Sequence, residues 1–148
     1  MYSIAYLSSA SFAFSDDDLA TLLMNSRANN RAMQLTGMLL FRDGRFMQVL
    51  EGPEHTVRAR YSVIAGDPRH RDVRKLYDET YEERQFPDWS MGYPPVTDTM
   101  AGVIPGFTDF FGENASRLDL TLQASRARLL LEWFRNQTTS SATVAKAS

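Results

Sequence analysis

Apolar and polar positions alternate along Phe46-Met47-Gln48-Val49-Leu50-Glu51-Gly52, a strand-length run that ends at Gly52-Pro53. Tyr2 to Leu7 alternates in the same way, with Tyr2, Ile4 and Tyr6 on one face and Ser3, Ala5 and Leu7 on the other. Leu35 to Phe41 and Val73 to about Tyr81 read as further strands, and Trp89 to Tyr93 as a short fifth. Arg42-Asp43-Gly44-Arg45 separates two apolar runs, and Asp-Gly there predicts a two-residue hairpin turn. Ser8 to Ser11 reads as a loop. Ser15 before Asp16-Asp17-Asp18 has the pattern of a helix start, a hydroxyl cap followed by acids at the positive dipole end. That helix is expected to run to about Ala28, burying Leu19, Leu22, Leu23 and Ser26, and to end at Asn29-Asn30. A second helix starts at Pro53-Glu54, carries Val57, Tyr61 and Ile64 on one stripe, and stops near Gly66-Asp67-Pro68.

The order strand, helix, strand, strand, helix, strand, strand predicts an α+β fold: a ferredoxin-like βαββαββ sandwich with a five-stranded mixed sheet and both helices on one face. The first crossover should leave its two strands parallel. The last third covers the other face. Val103 to Phe111 reads as a loop with a turn of helix, and Ser116 to Asn136 as a long helix capped at Asn114-Ala115-Ser116. Such a helix spans roughly 30 Å, enough to cross the sheet. Leu118, Leu122, Leu129 and Trp133 form its apolar stripe, with Phe134 beside it; Leu129-Leu130-Leu131 is wider than one stripe requires, and a dimer surface would use the surplus. The expected organisation is residues 1–97 as the principal domain, 98–137 as a helical cap on the sheet, and 138–148 as a small, polar, disordered tail.

Composition narrows the function classes. The chain of 148 residues is 43% hydrophobic and 23% charged, ordinary for one globular domain with a real core. A net charge of −2 gives no electrostatic footprint for nucleic acid or an anionic membrane. With no Cys, disulfides and thiolate chemistry are excluded, and two His at 55 and 70 do not make a metal site. No apolar run approaches the roughly 20 residues that span a bilayer, and the N-terminus is unlike a signal peptide; a cytoplasmic location is the expectation.

Gln48 stands where a strand core would ordinarily carry Val or Ile. A buried amide without partners costs several kcal/mol, so side chains or a ligand must satisfy it. Tyr6 falls on the same face of the neighbouring first strand, and phenol and amide are expected to touch beneath the two helices. Asn29 and Asn30 at the first helix's end, and Asp67, Arg69 and His70 after the second, border that face. The cleft so formed suits a flat heteroaromatic ligand with carbonyl and imide groups. Each residue alone also has a structural reading: a satisfied core tyrosine, a core amide network, a helix C-terminus, a turn with a solvated ion pair.

Jointly, Tyr6, Ser26-Arg27-Ala28-Asn29-Asn30, Leu35-Thr36-Gly37-Met38-Leu39, Phe46 to Gly52, Asp67-Pro68-Arg69-His70 and Phe86-Pro87-Asp88-Trp89-Ser90-Met91-Gly92 resemble the BLUF domains, blue-light sensors that use FAD. The resemblance covers residues 1 to about 97, and the C-terminal helices resemble those of short stand-alone members. It implies a photoreceptor and not an enzyme. Tyr6 is then the phenol that gives an electron and a proton to the excited flavin. Gln48 bridges Tyr6 and the flavin and rearranges its hydrogen bonds to give a red-shifted state. Asn30 fixes the carbonyl/imide edge, with Asn29 at a variable position. Asp67, Arg69 and His70 lie near the pyrimidine side and ribityl chain, and Leu22 and Ile64 sandwich the ring. Trp89 and Met91 relay the signal to the C-terminal helices and a separate protein partner. FAD is the implied cofactor, with FMN and riboflavin open alternatives, and homo-oligomers are implied. Met33-Gln34 departs from relatives with small residues there and is expected to alter packing only. Two other readings compete: a light-insensitive interaction module, and an acylphosphatase-like hydrolase. The second needs a phosphate-cradling Arg after the first strand, and Ser8 to Phe14 contains none.

Overall fold

The computed structural model describes residues 1–86, 90–94, 110–111 and 120–140, with the side chains of 124–136 in the last stretch. Its elements are β1 (Tyr2–Ala10), α1 (Asp16–Met33), β2 (Thr36–Arg42), β3 (Arg45–Gly52), α2 (Glu54–Ala65), β4 (His70–Thr80) and α3 (Leu120–Ser140). The four strands form one sheet in the order β2-β3-β1-β4. Among the described residues every pairing of these strands is antiparallel, so in place of the expected mixed five-stranded sheet the described sheet is four-stranded and antiparallel. β1 and β2 do run parallel, but β3 lies hydrogen-bonded between them. Of the expected fifth strand, Trp89 lies outside the described residues; Gly92 makes a single parallel bridge to Met38.

Local chemistry sets the ends of several elements. Ser15 and Asp18 form a reciprocal capping box: the Asp18 N–H donates to Ser15 Oγ (3.1 Å) and the Ser15 N–H to Asp18 Oδ2 (2.9 Å). Asp43 (φ 49°) and Gly44 (φ 79°) turn the β2–β3 hairpin in the left-handed region, as Asp-Gly predicts. Other ends move. α1 continues through Asn29-Asn30 to Met33 and stops at Gln34, whose φ of 60° is a left-handed cap. Asn30 stays helical because its buried side chain is tied to a distant segment, described below. β1 runs on through Ser8, Ser9 and Ala10, because Ser8 pairs with β3, Ser9 with both β3 and β4, and Ala10 with β4. β4 starts at His70 instead of Val73.

Alternation along the central strands divides the interior in two. Tyr2, Ile4, Tyr6, Phe46 and Leu50 pack with Leu19 and Leu23 of α1 and Val57 of α2. Ala5, Leu7, Met47 and Val49 pack on the other face with Ala127, Leu130, Leu131 and Phe134 of α3 and with Phe110 and Phe111. The α3 stripe is therefore not the one expected: Leu129 is 53% exposed, Trp133 is half-buried, and Leu118 and the Leu122 side chain lie outside the described residues. Of the expected cap 98–137, residues 110–111 and 120–137 are described; the expected disordered tail 138–148 is corrected at its start, where 138–140 are the last residues of α3, and 141–148 lie outside the described residues. Glu51, fully buried, points to the α3 side. Its carboxylate accepts the Gln85 N–H (2.9 Å) and the Phe86 N–H (3.0 Å), and the Gln85 side chain accepts from Arg135 of α3. Arg84 completes this knot by donating to Gln34 O (2.7 Å), Thr36 Oγ1 (3.0 Å) and Glu51 O (3.2 Å).

Candidate functional site

Between α1 and α2, over the β1–β3 face, lies a cavity of about 330 Å³. That is the size range of small-molecule sites, about 300–1,000 Å³. Leu22, Asn29 and Asn30 reach it from α1, Gln48 from β3, Ile64 from α2, and Asp67, Arg69 and His70 from the turn into β4. All eight were expected there from the sequence. Tyr6 does not line the cavity; it is buried at 1% exposure, and its ring meets Tyr61 of α2 edge-on at 5.3 Å.

Tyr6 and Gln48 are direct register partners on β1 and β3, so their side chains share one face. The expected hydrogen bond between them is not made. The Gln48 amide Nε2 donates instead to the Met91 sulfur at 3.3 Å, and the Tyr6 hydroxyl has no hydrogen-bond partner. A thioether is a weak acceptor, and a buried unpartnered hydroxyl is unfavourable by about 1–3 kcal/mol. Burial pushes the Tyr6 ionisation far above the usual phenol range, so the phenol stays protonated at any physiological pH.

Met91 is itself buried and faces the site. Its segment is fastened from two sides. Asn30 Nδ2 donates to Ser90 O (2.5 Å) and Arg27 Nε to Met91 O (3.0 Å), while Gly92 exchanges backbone hydrogen bonds with Gly37 and Leu39 of β2 (2.9 and 2.8 Å). Trp89, the other expected relay residue, lies outside the described residues.

The far end of the cavity is charged. Arg69 donates to both Asp67 oxygens, with the shortest contact 2.6 Å. These bonds hold the Asp67 carboxyl down to about 2. His70 lies edge-on to Phe46 at 5.1 Å, and its Nδ1 is 3.1 Å from Ser8 Oγ. Burial lowers its pKa, favouring the neutral ring. Sequence reasoning missed Arg27, Asn25, Arg60 and Val63 as site residues. A signal was there for two of them: Arg27 precedes Asn30 by three residues and Arg60 precedes Ile64 by four, so each shares a helix face with an expected site residue.

A polar cleft between two helices, floored by a buried amide whose strand neighbour is a buried phenol, defines a small-molecule-binding domain. The family model "BLUF: Sensors of blue-light using FAD" matches residues 1–92. Photoactivated adenylate cyclase subunit beta of Euglena longa is 30% identical over 71% of this chain, which spans 13% of that subunit. The blue light- and temperature-regulated antirepressor BluF of Escherichia coli (strain K12) is 45% identical over 43% of the chain and 16% of its own length. Among solved structures, BlrB, a BLUF protein in its dark state, aligns with a TM-score of 0.67 at 28% identity, over 88% of this chain and 95% of that one. The ground state of BlsA aligns at 0.69 and 27% identity, over 88% and 87%. The chain belongs to the BLUF family of blue-light flavin sensors.

Proposed function

We propose that this chain is a blue-light photoreceptor that holds FAD in the cavity between α1 and α2. The observation carrying this reading is the buried, unpartnered Tyr6 hydroxyl beside an amide that, among the described residues, donates to a sulfur. Two polar groups in a core at that level of satisfaction fit a ring edge bearing donors and acceptors. Gln48, Asn29 and Asn30 would meet that edge, Leu22 and Ile64 the ring faces, and Asp67, Arg69 and His70 the polar end. Bound there, the flavin supplies blue-light absorption and an oxidising excited state.

The protein's part follows from its own atoms. Tyr6 gives up an electron, and with it the hydroxyl proton that burial otherwise keeps in place. The Gln48 amide, one strand away, then rearranges its hydrogen bonds. Its bond to the Met91 sulfur is weak, so releasing it costs about 1 kcal/mol or less. That small difference suffices to bias a two-state amide. Met91 lies on the segment fastened by Arg27, Asn30 and β2, so a turn of Gln48 is felt along residues 90–92 and, with Trp89, is passed towards the C-terminal helices.

In this reading the chain performs no catalytic step on a substrate and signals to a separate protein partner. Exposed Leu129 is the apolar α3 position available to a homo-oligomer. Among the described residues no helix is long and apolar enough to cross a membrane; we place the chain in the cytoplasm. The decisive measurement is the absorption of the purified, FAD-reconstituted chain. A yellow protein whose spectrum shifts red in blue light and recovers in darkness is expected; a protein that stays colourless would sink the proposal and favour a light-insensitive module. Tyr6→Phe and Gln48→Ala should each bind flavin and lose the shift, and Asn30→Ala should loosen the flavin or change dark recovery. Parallel titrations with FMN and riboflavin rank the flavins.

A further inference from the structure

A second cavity, of about 350 Å³, opens at the hairpin end of the sheet. Ser8 and Ser9 of β1, Arg45 of β3, and Asp72 and Arg74 of β4 line it, with no residue from α1 or α2. It is a different site from the flavin cavity. Ser8 stands in the wall between the two, since its hydroxyl meets His70 of the flavin cavity at 3.1 Å.

The register explains the charge. Ser9 sits between Arg45 on β3 and Arg71 on β4, its direct register partner on each side, so the sheet brings an Arg strand position to each side of one hydroxyl. Between Leu7 and Ser9 the β4 partners advance from Arg74 to Arg71, one residue too many, and Asp72 takes a φ of 53° there. This is a β-bulge with left-handed backbone, a costly device that re-aims side chains and recurs beside functional sites. Arg74, the β4 partner of Leu7 beside this bulge, lines the same cavity as Arg45.

These arginines are free where most others are tied. Arg58 pairs with Glu54, Arg69 with Asp67 and Arg128 with Glu79, while Arg27 and Arg84 donate to backbone carbonyls. Among the described residues Arg45, Arg71 and Arg74 have no carboxylate partner, and the Ser9 hydroxyl makes no hydrogen bond. Asp72, the acid of the cavity, pairs with none of them. In a chain of net charge −2, three unneutralised guanidiniums at one sheet end are not a basic background.

We propose that this cavity binds a small phosphate-class oxyanion, either inorganic phosphate or the phosphate of a monoester. Two half-buried guanidinium forks suit the paired oxygens of such a group, and the Ser9 hydroxyl supplies a further donor. The larger volume than a lone phosphate needs leaves room for an organic residue on one oxygen.

The test titrates the full flavin-loaded chain with inorganic phosphate and with glycerol phosphate by calorimetry, against chloride at equal ionic strength. Both phosphates should bind more tightly than chloride, and tighter binding of the ester identifies the monoester as the ligand. Arg45→Gln and Arg74→Gln should each weaken binding by about 10-fold or more, the worth of a charge-assisted hydrogen bond. Arg45→Lys, which keeps the charge and loses the fork, should fall between. An unchanged flavin spectrum verifies that each variant is folded. Arg60→Gln and Arg69→Gln, in the flavin cavity, should leave phosphate binding intact. The proposal is overturned if phosphate binds no better than chloride, if Arg45→Gln and Arg74→Gln bind it as the parent does, or if Arg69→Gln abolishes it.

Discussion

The two faces of the sheet are made from alternate residues of the same strands, and they are built to opposite specifications. Under α3, Ala5, Leu7, Met47 and Val49 close on Leu130, Leu131 and Phe134, all buried and apolar. Its one buried acid, Glu51, has both carboxylate oxygens engaged by backbone N–H groups. Under α1 and α2, the same strands turn Tyr6 and Gln48 inward, leaving an open cavity lined by Gln48 and, next to Gln48, a buried Tyr6 hydroxyl without a partner. One face thus supplies the stability that lets the other keep polar groups poorly satisfied.

The strongest way to break this contrast is to damage the filled face. Phe134→Ala should cost about 3–5 kcal/mol in urea unfolding, a buried aromatic lost to a cavity, while the folded fraction keeps its red shift. A cost below about 1 kcal/mol would mean that α3 does not close the core. The open face should answer in the reverse sense. In flavin-free protein, Tyr6→Phe removes a buried hydroxyl that bonds to nothing, and stability should hold or rise, by up to about 1–3 kcal/mol. A clear loss would reveal a partner for that hydroxyl.

The smallest effect is electrostatic. The folded-state pKa of His70 lies below the ordinary 6.5, chiefly through burial. The unfolded chain therefore binds the proton more readily, and stability falls as pH drops through 6.5. His70→Gln should flatten the fall in melting temperature between about pH 7 and 5. Asp67 acts further down: its stabilisation is present above the ordinary 3.8 and is lost as pH falls towards about 2. Arg69→Gln should remove that lower limb. Unaltered pH profiles in both variants would contradict the assigned environments.

What the sequence disclosed and what it hid divide along physical lines. The hairpin at Asp43-Gly44, the cap at Ser15 and the alternation of β3 depend on neighbours in the chain, and all stand as read. The end of α1 does not, because the low helix propensity of Asn29-Asn30 is overridden by the bond from Asn30 to Ser90, 60 residues on. Ser8 to Ala10 look like a loop until two strands offer them partners. Three consecutive leucines cannot say which of them faces inward, and Leu129 is the one that does not. At the site, a Gln on a core-facing strand position announced itself. Its actual partner, Met91, is 43 residues away and indistinguishable from ordinary core. Arg27 and Arg60 were passed over because a helical Arg is by default a solvated charge.

Seven of the eight β3 residues are buried, since one face of the strand serves the cavity and the other the α3 core and the Glu51 knot. β4 has a single buried position in its eleven. A saturation scan should therefore show β3 as a block of intolerance from Phe46 to Gly52, and β4, at the edge of the sheet, as permissive. Variation among natural relatives would then accumulate along the sheet's β4 margin, leaving the sequence of β3 as the family's most slowly drifting text.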